Sequence, residues 1–401
     1  MMDYDLAIVG GGLAGSVLGL VMARHGKEVL IVENSTQFRD RVRGETIAPW
    51  GSEEAGKLGI YELLRDRCGI EVQYTTFWFG GEAGEPRDLH ATTPHGMGNL
   101  DFRHPEMQEV IIEAARNAGA HVLRGCAAKG VTPGAVPIVH INSDDGVRDV
   151  SARLVVGADG RDSKVRRWAG FEVLRETPYL FAASVLFESP STDLQGSVHY
   201  ISDPATPRNA FIVPVANGYF RPYLMYRNEV IGRQLSGERD VTTLIDQCIA
   251  AGAPREWFSD AKASGPLATF DGACRWVEKP YRDGIVLVGD AASSSDPSWG
   301  NGLSMTLRDV RMLSERLIAT DDWDAAASVY AELQAKQAER LRQGEAMLRD
   351  LLYEPGDAAL KRRYRARELL EREPDRDPDL FGIGPDAPCD DSARARFLGE
   401  V

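Results

Sequence analysis

The chain has 401 residues, 43% of them hydrophobic, which is enough for two packed domains or for one domain with a large insertion. Its net charge of −14, with no basic run before the C-terminal helices, argues against nucleic acid as a partner. Its five cysteines are scattered without metal-ligand spacing, which predicts reduced thiols, no metal site and a cytoplasmic protein.

A strand–helix–strand pattern around a glycine-rich turn opens the chain. Residues 6–9 predict a buried strand, a helix follows to about residue 25, and a second strand over 29–32 ends on Glu33. The turn has the G-x-G-x-x-G spacing of a dinucleotide-binding fingerprint and comprises Gly10, Gly11, Gly12, Leu13, Ala14 and Gly15. This unit accounts for the apolar stretch at the N-terminus. No other run nears the roughly 20 apolar residues of a membrane span, so we expect no membrane partner.

Each part of this unit has a physical task. Gly10 permits the tight turn, Gly12 lets the backbone approach a pyrophosphate, and Gly15 lets the helix pack closely on the strand. Free N–H groups at the helix N-terminus attract phosphate. Glu33, about 20 residues on, can accept hydrogen bonds from ribose hydroxyls. Because an acid there disfavours a 2′-phosphate, we expect the adenosine of FAD or NAD rather than that of NADP.

The next hundred residues carry weaker signals. A basic loop with Arg41 and Arg43 either places a guanidinium on the cofactor or is simply solvated, and the pattern leaves both open. Residues 52–66 predict one helix with Ser52 as its N-cap. Residues 74–79 predict a strand, residues 80–100 predict a loop excursion, and a helix with proline in its first turn follows.

Two later segments repeat the strand–turn–helix arrangement. Residues 154–156 lead into Gly157-Ala158-Asp159-Gly160, with Ser163 and Arg166 close behind. Residues 285–288 lead into Gly289-Asp290, and a long helix begins near Leu303. Pro297, Gly300 and Gly302 lie between that acid and that helix. In both segments a carboxylate follows a strand, at the edge where open α/β sheets bind ligands.

Taken together and in this order, the three motifs resemble those of the FAD-dependent aromatic hydroxylase superfamily, the group A flavoprotein monooxygenases. This superfamily also contains flavin-dependent halogenases and geranylgeranyl reductases. The match spans residues 5 to about 320. The resemblance implies an α/β fold, in which a Rossmann-like FAD-binding domain of the glutathione-reductase type carries an inserted, mainly antiparallel β-sheet substrate domain and C-terminal helices.

The expected domain boundaries follow from where the character of the chain changes. Residues 179–228 alternate and are rich in β-branched and aromatic side chains, which predicts four antiparallel strands. We divide the chain into three parts of the FAD-binding domain (1–73, 101–174 and 281–320), a substrate-domain excursion (74–100), the substrate sheet (175–280) and a C-terminal helical region and tail (321–401).

The resemblance also implies roles for individual residues. Glu33 would bind the adenosine ribose, Asp290 the ribityl chain, and Asp159 with Gly160 the pyrophosphate and NAD(P)H region. Arg43 would lie along the FAD. Arg103 falls where the family often has an arginine beside the FAD, although His104 could take that place. The loop of Gly300, Gly302 and Leu303, together with residues 46–50, would lie near the flavin ring.

The implied reaction is insertion of one atom of O₂ into a small aromatic or other electron-rich apolar substrate through a flavin C4a-(hydro)peroxide. Electrons would come from NADH or NADPH, directly or through a separate flavin reductase, and the protein would be a monomer or a homodimer. A prenyl-type C=C reductase, a halogenase and a non-catalytic flavoprotein remain as alternatives. The halogenase W-x-W-x-I-P signature is absent, and Ser293 stands where many hydroxylases have histidine.

No Ser/His/Asp constellation is evident, in keeping with chemistry performed by a flavin. The substrate pocket is expected between the flavin loop and the inserted sheet. Candidate walls, chosen from the loops and by strand alternation, are Trp50, Phe211, Val213, Tyr223, Tyr226, Pro297 and Trp299.

Overall fold

The computed structural model describes residues 2–143, 146–189, 194 and 196–401. The glycine fingerprint follows the middle strand of a parallel sheet. Strand Tyr4–Val9 pairs in parallel with Val29–Glu33 on one side and with the end of Gly146–Gly157 on the other. His121–Arg124 and Ile285–Leu287 continue the parallel order outward. Antiparallel strands complete this sheet: Ala128–Thr132, Ile138–Ser143 and Tyr281–Arg282.

Parallel strands place their carboxyl ends at one edge of a sheet, and here three distant motifs meet at that edge. Gly10 follows the first strand, Glu33 ends the second, Asp159 follows the strand that ends at Gly157, and Asp290 follows the strand Ile285–Leu287. This parallel sheet and its helices confirm the predicted Rossmann-like α/β class.

The helices of the FAD-binding part cover the parallel sheet. The fingerprint helix packs against helices His104–Asn117 and Gly302–Ala319. The apolar cluster between the three helices includes Leu18, Met107 and Leu313. The longer helices of the whole chain are Leu13–Arg24, Pro49–Lys57, Tyr61–Arg67, His104–Asn117, Val241–Ala251, Gly302–Ala319, Trp323–Leu352, Asp357–Arg372 and Asp391–Phe397. Shorter helices are Leu89–Thr92, Lys164–Trp168, Asn228–Ile231 and Leu380–Ile383.

A second, larger sheet is mainly antiparallel. Its centre is the pair Arg208–Val215 and Tyr219–Tyr226. Ser197–Ser202 is antiparallel to the first of these strands and parallel to Tyr74–Phe79, so the excursion after residue 73 joins this sheet. Its other strands are Glu82–Ala83, Arg87–Asp88, Phe181–Ser184, Phe187–Glu188, Lys262–Ala263 and Ala268–Asp271. The domain division remains a prediction.

Two small sheets connect these parts. One joins Thr46–Ile47, Asn99–Phe102 and Gly69–Val72, and the other joins Leu174–Arg175, Arg275–Trp276 and Ser293–Ser294. Side chains alternate along Asn99–Phe102: Leu100 and Phe102 enter the core beneath the fingerprint helix, so Asn99 and Asp101 face the opposite side.

The helix predicted from Ser52 is wrong in its start and its extent. Helix Pro49–Lys57 begins earlier because proline suits the first helical turn, and Ser52 lies inside it, where its hydroxyl donates to the Gly98 carbonyl. Gly59 then adopts φ +65°, which ends that helix before Tyr61–Arg67 starts a second one.

The C-terminal tail folds back over the large sheet. Arg87 donates two hydrogen bonds of 2.8 Å to the Asp379 carboxylate, and the adjoining Phe381 packs against Tyr200 and Trp299. Gly384 lies against Trp50, where a Cβ atom would come within 2.5 Å of the indole. We call residues 377–386 the tail clasp, because this bidentate pair ties them to the sheet.

We expect Arg87→Ala to loosen the tail clasp without removing the cofactor, because the charged fork is lost far from the glycine fingerprint. Amide hydrogen exchange should rise over residues 377–386, while flavin content should stay at the wild-type level. Arg65→Ala, which removes an exposed pair with Asp66, is the control. Unchanged exchange in the clasp would contradict the assigned role of the pair.

Within the described ranges, no helix combines the length and the apolar character that crossing a membrane requires.

Candidate cofactor and substrate site

A cavity of about 560 Å³ runs along the carboxyl edge of the parallel sheet and ends against the large sheet. Most of the cofactor residues predicted from the sequence line it: Gly10, Gly12, Leu13, Ala14, Glu33, Arg43, Asp159, Gly160, Asp290, Pro297, Gly300, Gly302 and Leu303. Phe211, Tyr223 and Phe270 form its far end, beside Thr46. Residues from across the whole FAD-binding part therefore meet in one cavity.

The glycines form a cradle whose members differ in what surrounds them. A Cβ atom on Gly10 would lie 2.4 Å from the Ala158 carbonyl oxygen, and its φ of +107° is itself unfavourable for other residues. A Cβ atom on Gly15 would lie 2.0 Å from the Gly10 oxygen. At Gly12, by contrast, the nearest atom is a side-chain nitrogen of Gln108 at 3.5 Å. The fold itself requires Gly10 and Gly15, whereas Gly12 borders open cavity, as expected where a diphosphate approaches the backbone.

Glu33 lines the cavity at the end of the second parallel strand. One carboxylate oxygen accepts from the Gly11 N–H at 2.8 Å and the other from the Ser35 N–H at 2.7 Å. These bonds fix the carboxylate beside the fingerprint turn, and its remaining lone pairs can accept from ribose hydroxyls.

Asp159 is engaged within its own turn. Its carboxylate accepts from the Lys164 and Val165 N–H groups at 2.6 and 3.1 Å and from the Ser163 hydroxyl. It therefore caps the short helix Lys164–Trp168 and holds the Gly160 turn in place at the cavity wall.

Asp290 sits deep in the cavity among cations. Burial raises the pKa of its carboxyl above the ordinary range, and the charges of Arg43, Arg161 and Arg166 act in the opposite direction. The oxygens of this carboxyl can accept hydrogen bonds from hydroxyl groups of a bound cofactor chain.

Asp309 is hydrogen-bonded to the turn that carries Asp290. One of its carboxyl oxygens accepts from the Gly289 N–H at 2.9 Å and from the Gln334 side chain at 3.5 Å. Burial raises the pKa of Asp309 from 3.8 to about 8, so the buried carboxyl is largely protonated at neutral pH.

This raised pKa predicts a pH-dependent stability. The folded chain keeps the Asp309 proton that the unfolded chain releases, so the free energy of unfolding should fall as pH rises from about 4 to about 8, by about 1.4 kcal/mol per pH unit from this group. Urea unfolding of the FAD-free protein across this range should show a shallower decline for Asp309→Asn, whose amide oxygen can accept the same bonds. Equal slopes would contradict the assignment.

The basic loop is held by a buried ion cluster that residue patterns did not reveal. Arg221, fully buried on strand Tyr219–Tyr226, donates to Glu45 at 2.6 Å and to Asp40 at 2.5 Å. Between these two acids Val42 adopts φ +53°, a strained conformation for a β-branched residue. The two ion pairs hold this turn in place, and Arg41 and Arg43 of the same turn line the cavity.

His104, not Arg103, lines the cavity next to this loop. Arg103 pairs with Glu106 and lies over the Tyr219 ring, which corrects the prediction for Arg103 in favour of the alternative one residue on. Burial lowers the pKa of His104 to about 4. The imidazole is therefore neutral at pH 7, and its Nδ1 lies 2.8 Å from the Gly44 carbonyl.

The predicted pocket walls divide into two groups. Phe211, Tyr223 and Pro297 line the cavity, and the Tyr223 hydroxyl donates to the Arg43 carbonyl at 2.7 Å. Val213 is buried in the apolar cluster beside them and Trp299 borders a separate small cleft under the tail clasp, so neither lines the cavity as predicted.

Two more of the predicted walls, Tyr226 and Trp50, do not line the cavity. Tyr226 lies three residues after Tyr223 and so occupies the opposite face of the sheet, where its hydroxyl donates to the Arg233 carbonyl. Trp50 is fully buried beneath the tail clasp, donating to Asn301 at 3.2 Å, and does not reach the cavity.

The glycine cradle, the acid that ends the second strand and the acid after the last parallel strand meet at one edge of the sheet, which is the arrangement of a dinucleotide-binding site. The family model described as "FAD binding domain" matches residues 3–350, and the chain is a member of that family. The resemblance inferred from the motifs is confirmed, and the protein is an FAD-dependent oxidoreductase.

Individual relatives differ in activity. The chain is 28% identical over 394 residues to 6-methylpretetramide 4-monooxygenase of Streptomyces rimosus, covering 92% of this chain and 89% of that protein. It is 26% identical over 326 residues to digeranylgeranylglycerophospholipid reductase 1 of Methanococcoides burtonii, covering 75% of this chain and 71% of that protein. The fold is similar to the crystal structure of p-nitrophenol 4-monooxygenase PnpA from Pseudomonas putida, with a TM-score of 0.79, 17% identity, and coverage of 97% and 100%.

Proposed function

We propose that the protein uses FAD to insert one oxygen atom of O₂ into a small aromatic or other electron-rich apolar substrate. The observation that carries this proposal is the aromatic end of the cavity. There Phe211 and Tyr223, with ring centroids 6.1 Å apart, stand beside the Gly300 loop. An aromatic wall suits a flat ring better than a prenyl chain, which needs a long apolar groove.

The residues that would hold FAD line one cavity. The fingerprint turn and the N-terminus of helix Leu13–Arg24 would bind the diphosphate, Glu33 the adenosine ribose, and Asp290 the ribityl chain. The N-terminus of helix Gly302–Ala319 would stabilise negative charge on the flavin ring. Bound FAD, reduced by NADH or NADPH directly or through a reductase, would supply the chemistry of O₂ activation, in which one oxygen atom of O₂ goes to the substrate and the other is released as water.

In this proposal the protein chain keeps water out of the substrate site and fixes the position of the substrate relative to the cofactor. Phe211 and Tyr223 are 3% and 6% exposed, and such a wall excludes the water that would divert oxygen to hydrogen peroxide. The hydrogen bond from the Tyr223 hydroxyl to the Arg43 carbonyl ties the aromatic wall to the basic loop, so the substrate end and the cofactor end keep one geometry.

The test begins with anaerobic titration of the FAD-loaded protein with NADH and then NADPH, following flavin absorbance. Bleaching by either nucleotide, followed by transfer of isotopically labelled O₂ into a phenolic substrate, would support a self-contained monooxygenase. Bleaching only with an added reductase would support a two-component system. Reduction of a prenyl double bond without O₂, or halide incorporation, would overturn the proposal in favour of the reductase or halogenase reading.

A further inference from the structure

One loop of the cavity wall is held by a helix that lies outside the FAD-binding part. Residues 295–301, which we call the Pro297 loop, connect strand Ser293–Ser294 to helix Gly302–Ala319. Pro297 and Gly300 of this loop line the cavity. The strand is fixed by its antiparallel partner and the helix by its packing, so both ends of the loop are anchored. Contacts to the middle of the loop therefore decide where its cavity-lining residues stand.

Glu345, on the long C-terminal helix Trp323–Leu352, makes such a contact. It is 1% exposed, and one of its carboxyl oxygens accepts from the Asp296 backbone N–H at 3.0 Å. The Asp296 carboxylate accepts in turn from the Ser298 N–H at 2.9 Å and from the Ser298 hydroxyl at 2.5 Å, which caps the turn Pro297–Trp299. One hydrogen bond from the helix thus fixes the residue on which this turn is built.

Arg349, one helical turn further on, approaches the same residue. One nitrogen of its guanidinium lies 3.7 Å from the Asp296 carboxylate, and the group donates to Glu176 at 2.7 and 3.2 Å. Glu345 and Arg349 are four residues apart, so they stand on one face of the helix. This face presents an acceptor to the loop backbone and a cation to the loop carboxylate.

The surroundings of Glu345 do not favour a carboxyl group for packing alone. Its bonded oxygen also lies 3.8 Å from the Cys274 sulfur, while its other oxygen has no hydrogen-bond partner among the residues that the structure describes. Burial and the charge of Asp296 raise the pKa of Glu345 well above its ordinary range. Burying an unpaired polar atom costs free energy, which an apolar side chain would avoid. What Glu345 provides, and an apolar side chain could not, is the acceptor for the Asp296 N–H.

We propose that Glu345 is a positioning residue that holds the Pro297 loop against the ring system of bound FAD. Glu345 does not itself line the cavity, so it acts through Asp296 rather than by touching the cofactor. The proposal rests on the placement of the flavin ring beside this loop that is proposed above, and it applies whichever reaction the enzyme performs. It gives the C-terminal helical region a role in setting the surroundings of the flavin.

Comparing the whole cofactor with one part of it separates this role from a general loss of structure. FAD and ADP are each titrated into the full-length protein freed of flavin, because both would occupy the glycine cradle while FAD alone would reach the Pro297 loop. Glu345→Leu should raise the dissociation constant of FAD about tenfold, the effect of about one hydrogen bond, and leave that of ADP unchanged. Glu345→Gln, whose amide oxygen can accept from the Asp296 N–H, should keep the wild-type affinity for both. Glu332→Leu, at an exposed acid of the same helix, is the control.

The visible circular dichroism of the FAD-loaded proteins gives a second readout, because it reports the asymmetric surroundings of the flavin ring. Glu345→Leu should change the intensities of the flavin bands, and Glu345→Gln should restore them. Arg349→Met removes the second contact of the helix with Asp296 and should change the bands in the same direction. Glu332→Leu should leave the bands as they are in the wild type.

Several outcomes would overturn the proposal. An equal loss of FAD and ADP affinity in Glu345→Leu would show a general structural role, and unchanged FAD affinity and dichroism would show that the loop stands without Glu345. A Glu345→Gln variant that behaves like Glu345→Leu would also contradict it, as would unchanged dichroism in Arg349→Met should Glu345→Leu fail to fold. Neither readout involves O₂ or a substrate, so a failure of the oxygen-transfer test would leave a positive result here standing, and the reverse also holds.

Discussion

Gly12→Ser and Gly15→Ser are both expected to remove bound FAD, but Gly15→Ser alone should also destabilise the FAD-free protein. A Cβ atom at Gly15 would sit 2.0 Å from the Gly10 carbonyl, so the helix must move away from the strand. Such overpacking against backbone should lower the free energy of unfolding by about 3 kcal/mol. Fewer than half of the purified molecules should then retain flavin.

Gly12 is different because its surroundings leave room for a side chain. It is the N-cap of helix Leu13–Arg24, a position where serine is well tolerated, so Gly12→Ser should change the stability of the FAD-free protein by less than about 0.5 kcal/mol. Its hydroxymethyl group would nonetheless project toward the diphosphate and weaken FAD binding. The flavin-to-protein ratio measures FAD retention, and urea unfolding of the FAD-free variants measures their stability. Full flavin occupancy in Gly12→Ser would contradict the cradle assignment.

Removing the buried guanidinium should have the largest effect on stability. Arg221→Met leaves Glu45, 1% exposed, without its counter-charge, and breaking a buried pair in this way costs about 3–5 kcal/mol. The same change releases Asp40, so the strained turn at Val42 should relax and carry Arg43 away from the cavity. We therefore expect weaker FAD retention as well as a lower free energy of unfolding.

The double variant Arg221→Met with Glu45→Gln should recover much of the lost stability, because the uncompensated buried carboxylate is then gone. Arg103→Met provides the matched control. Its partly exposed pair with Glu106 should contribute below about 1 kcal/mol. Urea unfolding at neutral pH measures all four proteins. If Arg221→Met lowers the free energy of unfolding no more than Arg103→Met does, the ion pairs of Arg221 do not hold the basic loop.

The corrected predictions share a cause. Trp50 and Tyr226 are aromatic residues in the right part of the chain, but burial under the tail clasp and the parity of a strand decide which face an aromatic ring occupies. The choice between Arg103 and His104 likewise depended on where strand Asn99–Phe102 ends, and a shift of one residue exchanges the side chain that meets the cavity.

The linear pattern did not indicate that Arg221 pairs with Glu45 and Asp40. Glu45 and Arg221 are 176 residues apart in the chain. A lone arginine in a β-rich segment is usually a solvated edge residue. Only the docking of the large sheet on the basic loop reveals that it is buried with two acids.

The local spacing of glycines and acids determined the strand–turn–helix units, the dinucleotide chemistry and the superfamily, because a close backbone approach restricts which residues fit within a few positions. The tertiary structure decided which of the aromatic candidates line the cavity and how the basic loop is held. Those features depend on contacts between segments far apart in the chain, and their free energies arise from burial, which no single segment possesses before the sheets pack together.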